Sequence, residues 1–451
     1  MKLVKVRSPF IIEIAETGQI GSKIELSIYN KGNSIPSILS GVTITSTAGQ
    51  FSCTASTFAT GNTVTISGTL GGTGTITGYT SPKTYYVIAT NGTTTFTLSE
   101  TLGGTAITTT VGTPTGLTYI TQISSFYSLS KSIPSSTQIS TSYNLSNYVK
   151  EFIENIKPYT YEEPDVYENN EWVNFRVKRY KLIGSTYTLL DTTDYVGVNG
   201  FTNYSNGRQI APTTLLTPLL NNSIKTYYWT GDTDIQNYNF IVDKLSTSTL
   251  AVRFENLTNT DSVTYNLQNG VAGIFNYSIP ISIVINLGAN YATGCKVTVS
   301  LTPSGGTPVV SFITFAYPID ECKFSPVRCS FVNCYGGWQD IMFFKQQTNS
   351  ISVKGTDYKL TQNAINYNTS IGQFQMININ GKQTVKLNTG FVDENYSELI
   401  TDLLLSETVL LDGKPATVKS QSSDLKSHLK DKNINYEVEF EYSFNLINDV
   451  V

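Results

Sequence analysis

Hydrophobic and polar positions alternate with a period of two along most of this chain, which predicts strands. The longest case is near the end. Ile434, Tyr436, Val438, Phe440, Tyr442, Phe444 and Leu446 alternate there with Asn435, Glu437, Glu439, Glu441, Ser443 and Asn445. Such a strand is apolar on one side only and needs a second layer to cover that side. EWVNFRVKRYKLIG and IPISIVINLG carry the same signal within 160–320, and RSPFIIEIAETGQIGSKIELSIYNKG (7–32) predicts two strands and a turn.

Between residues 36 and 123 the strands become short: NTVTISG, KTYYVIAT, TTFTLSE and TAITTTVG. Gly71-Gly72, Asn91-Gly92 and Gly103-Gly104 separate them as turns, and Asn91-Gly92 suits a type I′ hairpin. Asp412-Gly413 predicts another hairpin, within LLDGKPATVK.

The period lengthens to that of a helix at two places. Val149, Phe152, Ile153 and Ile156 lie on one helical face, with Ser146 or Asn147 to cap it and Pro158 to stop it. Tyr396, Leu399, Ile400, Leu403 and Leu404 form a second stripe, with Asp393 near its start.

Charge divides the chain. Between Lys31 and Lys131 the only charged residues are Lys83 and Glu100. Only 14% of the whole chain is charged, against about 25% in ordinary soluble proteins, and uncharged polar residues fill the gap. These patterns predict a mainly β protein of several β-sandwich domains. A discontinuous N-terminal sandwich (1–35 plus 124–270) carries a sandwich of immunoglobulin size (36–123) inserted in a surface loop. A β-rich continuation or linker (271–320) and a C-terminal α+β domain (321–451) follow. The aromatic-dense stretch holding Phe324, Phe331, Tyr335, Trp338, Phe343 and Phe344 predicts a second core or a protein interface.

Candidate chemistry changes this picture little. A net charge of −4 and the lack of a basic stripe argue against nucleic-acid binding. The first residues lack a secretory signal and no apolar run is long enough to span a bilayer, so synthesis in a cytoplasm without membrane insertion is expected. The glycines of GTLGGTGTITGYT (68–80) do not satisfy GxxxxGK[ST] and have strand pattern on both sides, so they read as turns and not a phosphate cradle. Cys322, Cys329 and Cys334, with Cys295 as a fourth, could ligate zinc. No CxxC pair is present, and buried free thiols, Cys53 included, are the preferred reading. Glu437, Glu439 and Glu441 share a strand face that faces solvent, or meets cations or the basic groups of a neighbouring subunit. Asp232-Thr233-Asp234 has the form of a sugar-transfer motif without a nucleotide fold around it. His428, the only histidine, lies in a polar segment. No catalytic, metal or cofactor site is therefore assigned, and the chain is expected not to be an enzyme.

GTGTITGYTSPKTYYV, ATNGTTTFTLS and the closing TTVGTPTGLTY, all within 61–119, resemble an immunoglobulin-like module that recurs as an insert in structural proteins of tailed bacteriophages. RSPFIIEIAETGQIGSKIELSIYNKG, YSLSKSIPSSTQ, DECKFSPVRCSFVNCYGGWQDIMFFK and LNTGFVDENYSELITDLLLSETVLLDGKPATVK are similar to virion proteins of phages infecting Bacteroidetes hosts. The resemblance implies a tail, baseplate or neck component without catalytic residues. It implies self-association, contacts with other tail or neck proteins, and location in the virion. Weak host-surface glycan contacts through the outward module are a further expectation, with an adhesin or a head-decoration protein as alternatives.

Overall fold

A computed structural model describes residues 2–29, 38–39, 42–54, 60, 63–71, 78–80, 83–108, 115–121, 123–133, 140–153, 165–166, 172–207, 211–212, 216–220, 226–229, 237–244, 248–267, 273–280, 293–303, 306–319, 323–361, 365–366, 368–420 and 434–448. The protein is mainly β, with several sheets forming sandwich-like domains.

The first sheet has six strands, in the order Ile123–Ser132, Gly21–Tyr29, Trp172–Ile183, Thr186–Val198, Lys2–Lys5, Ala211–Pro212. Alternation along Gly21–Tyr29 buries Ile24, Leu26 and Ile28 against Phe175 and Val177. The pair Ile11–Ile14 and Thr141–Asn144 contributes Ile12, Ile14 and Tyr143 to the same core. Phe10 packs edge-on against Phe175 and Tyr195 at 5.8 and 5.1 Å. The polar face carries cross-strand ion pairs, Arg176 with Asp194 at 2.6 Å and Arg179 with Asp191.

Tyr29 pairs with Ile123, so the chain leaves and re-enters this sheet at neighbouring positions. All the strands of a separate seven-stranded sheet lie between them, in residues 38–121. That sheet has its own core, including Phe51, Val64, Tyr85, Val87, Phe96 and Leu98.

Two further sheets, of four and five strands, draw on residues 165–318. Gly273–Pro280 pairs with Asn237–Lys244, and Cys295–Thr302 pairs with Thr249–Asn256. The expected boundary at 270 therefore cuts through both sheets and is corrected. A sequence pattern shows that a strand exists but not which distant strand it pairs with.

The C-terminal sheet has seven strands, in the order Trp338–Phe343, Val327–Val332, Val409–Leu411, Lys414–Val418, Glu437–Tyr442, Phe374–Asn388, Thr348–Lys359. Helix α2 (Tyr396–Leu404) packs Leu399, Ile400 and Leu403 into its core, beside Phe331, Phe343, Val438 and Phe440. Phe331 and Phe343 are buried in a core continuous with Phe240, Phe254 and Phe312 of the preceding sheets, and Trp338 is buried as well, whereas Phe324, Tyr335 and Phe344 are half-buried.

Local expectations fare unevenly. Asp412 and Gly413 both have positive φ (44° and 78°), as a type I′ turn requires. At Asn91-Gly92 only the glycine does. Asn91 Oδ1 instead accepts hydrogen bonds from the backbone N–H groups of Thr93, Thr94 and Thr95, closing a longer loop. The strand Thr63–Gly71 runs through Gly68 and Gly71, so these glycines are not turn residues. Gly72 and Gly74 lie outside the described residues, and Gly78 has φ of +79°. Helix α1 (Ser146–Lys150) begins at Ser146 rather than being capped by it. The Ser146 hydroxyl accepts from Phe10 N–H at 2.7 Å and donates to Ser8 O, tying the helix to the N-terminal segment. Ile156 and Pro158 lie outside the described residues.

Candidate functional site

Two features of the described surface stand apart from ordinary solvated sheet faces. One is a cleft where the N-terminal sheet meets the C-terminal domain. The other is an apolar ribbon at the edge of the C-terminal sheet.

The cleft is built by backbone approach. After the strand Thr186–Val198 the chain passes through Gly200, and Phe201 N–H donates to Cys334 O at 2.9 Å. Gly336 and Gly337 let the Asn333–Trp338 turn sit against this segment and against Leu219. Arg7 fastens the other wall, its Nη2 donating to Leu405 O at 2.9 Å and its Nε pairing with Glu407 at 3.3 Å. Lys150 reaches the same carboxylate, also at 3.3 Å. The cleft has two adjoining parts, of about 840 and about 440 Å³, which share Lys5, Phe201, Thr202 and Asn203. Arg7 lies over the Phe201 ring at 4.8 Å and Lys5 over the Tyr335 ring at 4.3 Å, both as cation–π contacts. Tyr204 projects fully exposed beside Asn203.

Asp402, Cys334 and Lys5 meet at the inner end. Burial pushes the Cys334 thiol up to about 12, helped by the negative charge of Asp402. Burial also raises the carboxyl of Asp402, while its hydrogen bonds with Cys334 and the Lys5 charge act in the opposite direction. The Lys5 ammonium is lowered, again by burial. A thiol held protonated in this way is the reverse of an activated nucleophile. What the cleft offers chemically is aromatic faces, amides and carboxyl groups.

The ribbon consists of Thr348–Lys359 and Phe374–Asn388. Every residue of Thr348–Lys359 is exposed, as is the stretch from Phe374 to Ile379. Ile351 (63%), Val353 (59%), Phe374 (65%) and Met376 (52%) are large apolar side chains left in solvent. The last segment of the chain joins them: Leu446 N–H donates to Gly381 O at 2.8 Å. Phe444 and Leu446, expected on the apolar face of a long final strand, are exposed because that strand ends at Tyr442.

The candidates raised by the sequence fall elsewhere. Cys295 and Cys329 are buried in the core and Cys334 lies in the cleft, whereas Cys322 lies outside the described residues. No group of three or more metal-ligating side chains occurs among the described residues. Cys53 is buried in the core of the 38–121 sheet. Two of the three glutamates are met by lysines of this same chain: Lys386 on Glu437 at 2.5 Å, and Lys382 and Lys419 on Glu441 at 3.1 and 2.8 Å. Asp232, Asp234 and His428 lie outside the described residues. No helix among the described residues is long and apolar enough to cross a membrane.

The cleft is not legible in the sequence. Its only local signals are the paired glycines of CYGGW and the isolated Gly200, which resemble ordinary turn residues until their neighbours in space are known.

No protein-family model matches the chain, and no curated protein matches it. Among solved structures, the chain is similar to the FN1-FN3 domains of chicken CNTN1, at 6% identity and a TM-score of 0.16, over 76% of this chain and 90% of that one. A likeness of that size carries no argument, and the fold rests on the sheets themselves.

Proposed function

We propose that this chain is a non-enzymatic structural component of a tailed-phage virion, in the tail or tail tip, that works by symmetric self-assembly. The virion assignment comes from the resemblance of the segments quoted above. The observation that carries the assembly role is the ribbon. A strand of 12 residues with every side chain exposed would span roughly 40 Å of sheet edge. Edges and apolar patches of this kind invite association, and soluble monomers ordinarily cover or charge them. The 38–121 module, looped out between two paired strands, extends from the parent sheet without interrupting it, as an outward-facing insert would. Proteomics of washed particles tests this reading: the chain should be present in a fixed multiple of the symmetry-related tail proteins. Its absence from the particles would overturn the assignment.

A second reading, a glycan-binding adhesin, draws on the cleft. Phe201, Tyr204 and Tyr335 together with Asn203 and Asn206 supply the stacking faces and amides that sugar recognition uses. Tyr204→Ala in the phage separates the two readings: an adhesin that binds glycan in the cleft loses adsorption, whereas a scaffold still assembles particles that adsorb.

A further inference from the structure

We infer that one face of the ribbon is an interface between two copies of this chain, packed face to face about a two-fold axis. This rests on the self-assembly reading above and names the surface that performs it.

The face is defined by close neighbours. A Cβ placed on Gly381 would lie 3.2 Å from Leu446 Cδ1 and 3.5 Å from Ile351 Cγ2, so those two side chains share a side. Val353 follows Ile351 by the strand period. A Cβ on Gly355 would lie 2.9 Å from Met376 Cε and 3.1 Å from Ile379 Cγ1, which puts both on that side as well. Met376 and Ile379 are an odd number of residues apart and would face opposite ways in a regular strand. The register shift that passes Asn378, with its φ of +53°, brings them together. Phe374 follows Met376 by the period. The bulge thus keeps the apolar stripe continuous along the ribbon, and glycines at 355 and 381 leave the apolar neighbours room to close over it.

Size and charge point to a second copy as the occupant. Ile351, Val353, Phe374, Met376, Ile379 and Leu446 are each between 41% and 65% exposed. At roughly 200 Å² for a large side chain, that is on the order of 700 Å² of apolar surface. This exceeds the patches usual on a monomer and approaches the roughly 800 Å² per partner of a stable complex. Asp357 and Lys359 continue the same face at its far end, both exposed and of opposite sign. The two charges cancel, so the face carries no net charge that would repel a second copy, and offers no single sign to a uniformly charged partner.

Sedimentation velocity of the full chain over a wide concentration range tests the inference, with circular dichroism confirming that each variant stays folded. The wild-type chain should form dimers or multiples of them. Ile351→Lys and Met376→Lys, both at exposed positions, should each weaken association on the order of 100-fold, the effect of losing one buried large apolar side chain. Asp357→Lys should weaken it too, and the reversal D357K/K359D should restore it. If the folded variants associate as the wild type does, the assigned face is wrong while self-assembly stands. If the wild-type chain stays monomeric at every concentration, both readings fall.

Discussion

Gly200 and Gly336 meet backbone to backbone. A Cβ on Gly336 would lie 2.9 Å from Gly200 N, and one on Gly200 would lie 3.1 Å from Gly336 N and 2.5 Å from Cys334 O. Gly336 also has φ of +86°. Nothing at this contact is a flexible side-chain end that could move aside. Gly200→Ala should cost about 1–3 kcal/mol, as overpacking does elsewhere, and Gly336→Ala about 1–2 kcal/mol beyond that for its positive φ. Gly413 is the control. It has φ of +78° in its type I′ turn but nothing within 4 Å of an added Cβ, so its replacement by Ala should cost only the roughly 1–2 kcal/mol of the left-handed conformation. Urea-unfolding midpoints separate the two cases.

The Cys334 thiol should resist alkylation. Burial pushes it up to about 12, so its thiolate is scarce at pH 8 compared with an ordinary cysteine near 8.5. Iodoacetamide labelling followed by mass spectrometry should find it at least about tenfold slower in the folded chain than after unfolding in urea. Asp402→Asn should quicken labelling modestly, because burial, the larger cause, remains.

Glu441 predicts an acid-sensitive contribution to stability. Hydrogen bonds from Lys419 and Lys382 hold its carboxyl below the usual carboxylate range. A depressed carboxyl stabilises the fold above the unfolded-state value of about 4.3, and that contribution is lost as the pH falls through the folded value. Glu441→Gln should therefore be less stable than the wild type at pH 7, and the difference should vanish in acid. Thermal unfolding of both proteins across that pH window provides the check.

Removing the insert should leave its host sheet intact. Tyr29 and Ile123 are paired, so a short linker can join the flanking strands where residues 36–121 are removed. Calorimetry should show one transition lost and the rest within a few degrees of the intact chain. Broad destabilisation would mean that the 38–121 core and the host sheet cooperate.

How legible all this was in the sequence depended on range. Strand periodicity found Gly21–Tyr29 and Glu437–Tyr442, and helical spacing found α2, because the faces they bury repeat locally. The Asp412-Gly413 turn was legible for the same reason. The Asn91 loop was not, since a side chain that accepts three backbone N–H groups offers an alternative to the tight hairpin. The pairing of Gly273–Pro280 with Asn237–Lys244, the Gly200–Gly336 contact and the cleft between the domains depend on long-range approach. No local pattern encodes them. The glutamate row shows its charge in sequence, but the lysines that pair with Glu437 and Glu441 stand on, or just past the end of, neighbouring strands.

Electron microscopy of purified virions labelled with a gold-conjugated antibody to this chain tests the central claim most directly. Label should fall at a fixed position on the tail of every particle, repeated according to the tail's symmetry. Unlabelled washed particles, with the chain found only in the infected-cell lysate, would contradict it.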